Sequence, residues 1–375
     1  MRPRHCPAEH RRSARGAKAA LHQVAAVGNA FMPGRIAFEP ERSGPETHAD
    51  HAIAGAQILA QPAPADARRE RRPLHLEPHG TAQAFAANFN SATMTGSNME
   101  LRGYLDRIGY SGPVEPTLAC FTEIHRQQAF RIPYDALDIQ LGHPLDRDVA
   151  RIYDRVVNRS RGGWCYELHE LLVWALRDIG FDVRLVTAGI HRREGGDSKL
   201  GNHTAILVDL DQTYLADLGL GDGIRDPIPL REGTYHQGRL SFELQRTADG
   251  YWRFLNHAFA FPTNFDFRDV PLDEALIDQY GVYYQTSPDS LYIQNLVCQI
   301  MQEETVTCLT GRVIRQKTPD GTTKRLVAED EFEQVFADLF GICDPAIPSL
   351  WPRVAARHQE LFGDATIEQV SVAGF

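Results

Sequence analysis

Cys165, His203 and Asp217 are the residues whose types, order and spacing could carry nucleophilic acyl chemistry. Cys165 lies in Arg161-Gly162-Gly163-Trp164-Cys165-Tyr166-Glu167-Leu168-His169-Glu170, directly after two glycines suited to a tight turn of permissive φ. Beyond it Leu168, Leu171, Leu172, Trp174, Ala175, Leu176 and Ile179 recur with the helical period, so the cysteine is expected to open a helix. Unpaired backbone N–H groups and the positive end of the helix dipole would there stabilise a thiolate and lower the thiol pKa. A cysteine between Trp164 and Tyr166 also reads as an ordinary core residue. What favours chemistry is the company downstream. His203 follows Cys165 by 38 residues, in the β-branched run Asn202 to Val208, and Asp217 follows His203 by 14, in Tyr214 to Gly221. A thiol nucleophile needs a base to take its proton and an acid to fix the imidazole tautomer, and these two supply both roles.

The elements that must position these residues are legible from periodicity. Residues 99–108, 117–129, 146–157 and 167–179 read as amphipathic helices, the last stopped by Gly180. Residues 181–190, 204–210, 213–218, 240–246 and 251–255 read as strands, the last two joined across Asp249-Gly250, and their even spacing predicts an antiparallel barrel or sandwich. His203 and Asp217 would project from its strands. Farther on, residues 290–301 form a short helix or strand, residues 305–316 and 322–328 a hairpin around Pro319-Asp320-Gly321, and residues 330–340 an amphipathic helix. The fold class is therefore α+β, with a helical bundle over 99–180, an antiparallel β domain over 181–280 and a smaller α/β domain over 281–375.

At 375 residues and 43% hydrophobic, the chain can bury a sizeable core. A formal charge of −10 argues against general nucleic-acid binding, and no apolar run is long enough to span a membrane. Cysteines at 6, 120, 165, 298, 308 and 343 form no ligand-like cluster, which predicts free thiols, no metal site and a cytoplasmic location. Residues 1–98 differ in character: they hold 12 Lys and Arg against 8 Asp and Glu, 7 of the 15 histidines, and no sustained apolar period. That segment is expected to be disordered, and the working protein to start near Met94 or Met99.

Arg161-Gly162-Gly163 before Cys165 and Glu167, a strand histidine, Asp217-Leu218-Gly219-Leu220-Gly221-Asp222, Gln285 to Ser290 and Asn295 to Gln299, taken in that order, resemble an arylamine N-acetyltransferase. The resemblance runs from about Met99 to at least Cys308. It implies a cysteine-protease-like Cys-His-Asp core, residues 281–375 as a lid, and two-step acetyl transfer of the kind used in xenobiotic metabolism. Acetyl-CoA would be the co-substrate, with no tightly bound cofactor, and an aromatic amine or hydrazine the acceptor. The backbone N–H of Cys165 is one candidate oxyanion donor. Gly219 and Gly221 match a short loop lining the CoA channel, where missing side chains let backbone N–H groups approach an anion. Tyr134 and Leu220 fall at positions of the acceptor pocket, and Arg161 matches an arginine that holds the cysteine loop through a carboxylate such as Glu167 or Asp135. The chain departs from the pattern in two places. Tyr134-Asp135-Ala136 replaces Phe-Glu-Asn, and Leu168-His169 replaces Gln-Asn. His169, one turn beyond Cys165, is expected to be structural or pocket-lining, because it would lack the acid orienter. Two alternatives share the nucleophile logic: an amide synthase releasing a polyketide from a carrier protein onto an aryl amine, and a Cys-His-Asp hydrolase or transglutaminase-like enzyme.

Overall fold

Helices form where the apolar period is helical. In this computed structural model, which describes residues 99–363, 365, 367 and 370, the first are α1 (Leu101–Ile108), α2 (Leu118–Arg131), α3 (Leu137–Leu141), α4 (Val149–Tyr153, continued helically to Asn158) and α5 (Cys165–Ile179). The expectations for residues 1–98 lie outside the described residues. α1 buries Tyr104, Leu105 and Ile108, the face its spacing predicts. The Thr117 side chain caps α2 by accepting the Cys120 N–H at 3.3 Å. Gly180 ends α5 in the left-handed conformation, φ 104°. Between α2 and α3 the chain is extended for two residues, β1 (Tyr134–Asp135).

Among the described residues two antiparallel sheets form. The larger comprises β2 (Asp182–Ile190), β3 (His203–Asp209), β4 (Thr213–Ala216), β5 (Ile228–Pro229), β6 (Gly233–Gln237), β7 (Leu240–Arg246), β8 (Trp252–Leu255) and β9 (Asn264–Phe267), in the order β5-β4-β3-β2-β9-β8-β7-β6. Its edge strands approach each other, the Tyr235 hydroxyl donating to the Pro229 carbonyl at 3.1 Å, so the sheet is nearly a barrel. Val186, Leu207, Leu215, Phe242, Phe254 and Phe265 fill it. β6 is largely exposed and shows no apolar alternation, and β9 alternates as Asn-Phe-Asp-Phe but over only four residues, too short a run to stand out as a strand.

Helices α6 (Arg192–Gly195), α7 (Glu274–Thr286) and α8 (Leu291–Gln294) lie outside that sheet, and α7 runs across residue 280. The second sheet comprises β1, β10 (Val297–Met301), β11 (Val306–Thr310), β12 (Val313–Thr318) and β13 (Gly321–Leu326), in that order. Residues 305–316, expected as one strand, are two, because Gly311 turns the chain at φ 58°. Helices α9 (Phe332–Val335, continued helically to Phe340) and α10 (Trp351–Phe362) follow, and Phe332, Phe336 and Phe340 pack with Leu137, Leu296 and Leu309. β1 comes from the helical part of the chain yet pairs Tyr134 with Gln299 and Asp135 with Cys298, which ties the cysteine region to the second sheet.

Cys120, Cys165, Cys298 and Cys308 are free and buried, as the expectation of free thiols has it for these four. Among the described residues no helix is long and apolar enough to cross a membrane.

Candidate active site

The loop that presents Cys165 is built by close approach. Neither Gly162 nor Gly163 adopts a positive φ, contrary to the turn expected there. A Cβ on Gly162 would lie 2.1 Å from the Pro133 carbonyl oxygen, so only glycine fits against the strand that leads into Tyr134. The Gly162 N–H donates to Asp135 Oδ2 at 2.7 Å, and Glu167 accepts the Trp164 N–H at 3.2 Å, fixing the first turn of α5. Arg161 does not pair with Glu167. It reaches Asp344 at 2.6 Å, Asp138 at 3.2 Å and Asp135 at 3.4 Å, and the partner of Glu167 is Arg155, which also meets Asp138. Burial pushes the Glu167 carboxyl up to about 7, against the pull of Arg155 and the Trp164 N–H.

Across from this loop, His203 opens β3 and Asp217 follows β4. His203 Nε2 hydrogen-bonds Asp217 Oδ2 at 2.6 Å, and both side chains are buried. A neutral His203 therefore holds its proton on Nε2, and its buried Nδ1 has no hydrogen-bond partner among the described residues. That nitrogen is free to accept a proton. Gly219 shows how near the ring stands to Cys165: a Cβ there would lie 2.7 Å from Cys165 Cβ and 2.9 Å from His203 Cε1. The three sequence-predicted residues are thus brought together around one glycine.

Burial pushes the Cys165 thiol up, and Asp217 and Glu167 add to the rise, while the backbone N–H groups of Tyr166 and Cys165 work against it. The helix start acts in the expected direction, but desolvation outweighs it. The Asp217 carboxyl is held well below the usual carboxylate range: burial alone would raise it, and the attraction of His203, with His169 behind it, prevails. Oδ1 of Asp217 accepts the Gly219 N–H at 2.8 Å. That amide is therefore engaged and is not a free donor to an anion.

Two further histidines shape the acid. His169 on α5 meets Thr204 Oγ1 through Nδ1 at 2.8 Å and accepts the Leu218 N–H on Nε2 at 3.0 Å; that Nε2 also lies 3.4 Å from Asp217 Oδ1, so the acid it was expected to lack is beside it. His125 on α2 meets the Arg225 carbonyl through Nδ1 at 2.9 Å and accepts the Asp217 N–H on Nε2 at 3.3 Å. Both must be neutral to accept there, and burial pushes both imidazoles down from their ordinary value. His169, His203 and Asp217 offer ligand atoms within 4.8 Å of one another. With the lone pair of His169 taken by Leu218, the trio is a hydrogen-bonded cluster and not an open metal site.

A family model described as N-acetyltransferase matches residues 117–343, more than half of the chain and every residue of this constellation but Asp344. The chain belongs to the arylamine N-acetyltransferase family. Human arylamine N-acetyltransferase 1 is 26% identical over 294 residues, covering 70% of this chain and 99% of its own. The solved structure of the arylamine N-acetyltransferase from Nocardia farcinica is 28% identical, covers 70% of this chain and 94% of its own, and superposes with a TM-score of 0.60. That of the Mycobacterium marinum enzyme in complex with CoA has the same fold, with 24% identity, a TM-score of 0.61, and coverage of 70% and 99%. As an arylamine N-acetyltransferase the protein is an acyltransferase enzyme.

The remaining predicted positions divide. Tyr134 is buried on β1 beside the cysteine loop, bridging to Gly163, with its hydroxyl 2.5 Å from that of Tyr292. Leu220 is instead part of the barrel core with Phe242 and Ile224, whereas Leu218 packs in the cluster that holds Tyr134 and Cys165. The two leucines alternate across the loop, and sequence position alone did not reveal which one turned inward. Gly221 has φ 68°, and a Cβ there would meet Gln299 at 3.0 Å and Tyr134 at 3.2 Å. His125, Arg155 and Tyr292 were missed. An arginine on the turn before Arg161 and a histidine in mid-helix carry no motif, and only the oddity of a buried polar residue at a core position could have marked them.

Proposed function

We propose that this arylamine N-acetyltransferase moves an acetyl group from acetyl-CoA to an aromatic amine or hydrazine through an acetyl-Cys165 thioester. The observation that carries the reading is the Nε2-bound tautomer of His203, which leaves Nδ1 as a bare base beside the cysteine. His203 Nδ1 takes the Cys165 proton as the sulfur adds to the thioester carbonyl. The tetrahedral oxyanion collapses, the C–S bond to CoA breaks, and CoA leaves as the thiol, taking the proton from His203 Nδ1 and returning the ring to its neutral state. The amine nitrogen then adds to the acetyl-Cys165 carbonyl, gives up a proton to His203, and Cys165 departs as the amide forms. The Cys165 N–H at the start of α5 serves as one oxyanion donor. Because a Cβ on Gly219 would crowd both Cys165 and His203, the glycine leaves room beside the sulfur for the arriving thioester, with Gly221 next along the loop. Arg161 and Glu167 organise the cysteine loop. In this reading residues 99–180 carry the nucleophile, 181–280 the base and acid, and 281–375 cover the site.

Mass spectrometry after mixing with acetyl-CoA tests it. One acetyl adduct on Cys165, persistent without amine and discharged by aniline or a hydrazine, is expected. Absence of the adduct, or its rapid loss to water, overturns the reading.

A further inference from the structure

The hydroxyls of Tyr134 and Tyr292 are hydrogen-bonded to each other at 2.5 Å. One hydrogen bond between two phenols uses one O–H proton and leaves the other to be donated elsewhere. Among the described residues neither oxygen has a second partner. Tyr134 is buried and Tyr292 half-buried, so the leftover proton sits where water does not readily satisfy it.

The pair stands at the nucleophile. Tyr134 bridges to Gly163, two residues before Cys165, and its Cβ lies against the Gly219-to-Gly221 loop. The Tyr292 ring packs edge-on to Trp164 at 6.3 Å and to Tyr284 at 5.2 Å. Ionised Cys165 would raise the hydroxyls of Tyr134, Tyr284 and Tyr292 further, which marks all three as electrical neighbours of the sulfur. The indole Nε1 of buried Trp164 also has no hydrogen-bond partner among the described residues. The aromatic cluster beside the cysteine loop therefore holds two unpaired donor protons, one on the tyrosine pair and one on the indole, with phenolic lone pairs alongside them.

We propose that the Tyr134–Tyr292 pair selects acceptor amines whose aromatic ring carries a neutral hydrogen-bond-accepting oxygen, an ether or a phenol. The ring is held by the aromatic faces and the oxygen takes the spare hydroxyl proton. This inference rests on the acetyl-transfer reading above.

The probes are 4-methoxyaniline and 3-methoxyaniline, each against the ethylaniline in which a methylene replaces the oxygen. Size and basicity are close within each pair, and the readout is the ratio of kcat/KM between the two amines in one protein. Overall slowing of a variant leaves that ratio unmoved. In the native protein the ratio is expected to favour one methoxy isomer by about tenfold, the worth of one hydrogen bond at a desolvated site. In the Y134F/Y292F double variant it should fall to about one, the rings keeping their packing. A native ratio near one for both isomers, or a native preference retained in the double variant, overturns the inference and leaves acetyl transfer standing. Failure of acetyl-CoA to label Cys165 in the native protein overturns both.

Discussion

Gly219→Ala adds one carbon at the point where nucleophile and base converge. Built on the existing backbone, that carbon would lie 2.7 Å from Cys165 Cβ, 2.9 Å from Cys165 Cα and 2.9 Å from His203 Cε1. Two of these atoms belong to the first residue of α5 and the third to a ring pinned by Asp217, so none is the free end of a flexible side chain. Gly219 has no positive φ, and backbone strain plays no part. Relief requires shifting Cys165 and His203 apart by close to an ångström. Overpacking of this kind costs about 1–3 kcal/mol, which at about 2–4 °C per kcal/mol lowers Tm by roughly 2–12 °C. A displacement of that size in a reacting pair costs about 100-fold in rate. The assay is rapid-quench mass spectrometry of acetyl incorporation at Cys165, with a thermal melt alongside. The control is Gly281→Ala in α7, where an added Cβ meets nothing within 4 Å. It should leave acylation unchanged and stabilise by about 0.5–1 kcal/mol through helix propensity. A Gly219→Ala protein acylating within about threefold of native would refute the claim that Cys165 and His203 meet at this glycine.

His203→Gln should lower the acylation rate by about 10²–10⁴-fold, whereas His169→Gln, which loses only orienting hydrogen bonds, should lower it by about tenfold at most; the reverse pattern in single-turnover kinetics would exchange their roles. Alkylation of Cys165 by iodoacetamide should proceed near neutral pH in the native protein and shift well into the alkaline range in His203→Gln, because burial pushes the lone thiol up. Asp222 is buried and meets Lys317 at 2.5 Å and His257 at 2.7 Å, joining the loop after Gly221 to β12. Asp222→Asn leaves Lys317 buried without its carboxylate and should destabilise by about 3–5 kcal/mol in a denaturant melt. Burial would raise the Asp222 carboxyl, but the His257 hydrogen bond and Lys317 hold it below its ordinary value. Its contribution is therefore present above the unfolded carboxyl value of about 3.9 and lost as pH falls through the folded one. The fall of Tm below about pH 4 should be shallower in Asp222→Asn than in the native protein.

The sequence carried the order of the site better than its surroundings. Cys165, His203 and Asp217 were legible because a thiol at a helix start, a histidine in a strand and an acid after the next strand each mark their own chain element. The partner of Arg161 was half legible: Asp135 lies within reach, but Asp344 is 183 residues away and Glu167 turns to Arg155, and no local pattern encodes such pairings. The role of the glycines was misjudged for a related reason. Gly162 read as a turn and Gly219 as an opening for an anion, yet both are needed for what packs against them from elsewhere in the chain. The barrel was recognised from five strands. Its exposed edge β6 escaped because it lacks an apolar face, and β9 because its alternation, Asn-Phe-Asp-Phe, lasts only four residues.

In the proposed mechanism the buried thiol gives each of the three side chains its task. Ionising Cys165 by release of its proton to solvent would place a second negative charge next to Asp217, in a site where burial and that carboxylate both oppose it. Moving the proton to His203 Nδ1 leaves the charge of the pocket unchanged, since the new thiolate is matched by an imidazolium already bonded to Asp217. The carboxylate thereby changes sign in its effect: it hinders the isolated thiol and favours the pair. For this to work Asp217 must stay ionised and must not rotate, and both demands are met by the same hydrogen bonds. The Gly219 N–H holds Oδ1, while His125 and His169 hold the backbone on either side through the Asp217 and Leu218 N–H groups. Neutral histidines suit that task because each accepts on Nε2 without adding a positive charge that would compete with His203 for the carboxylate.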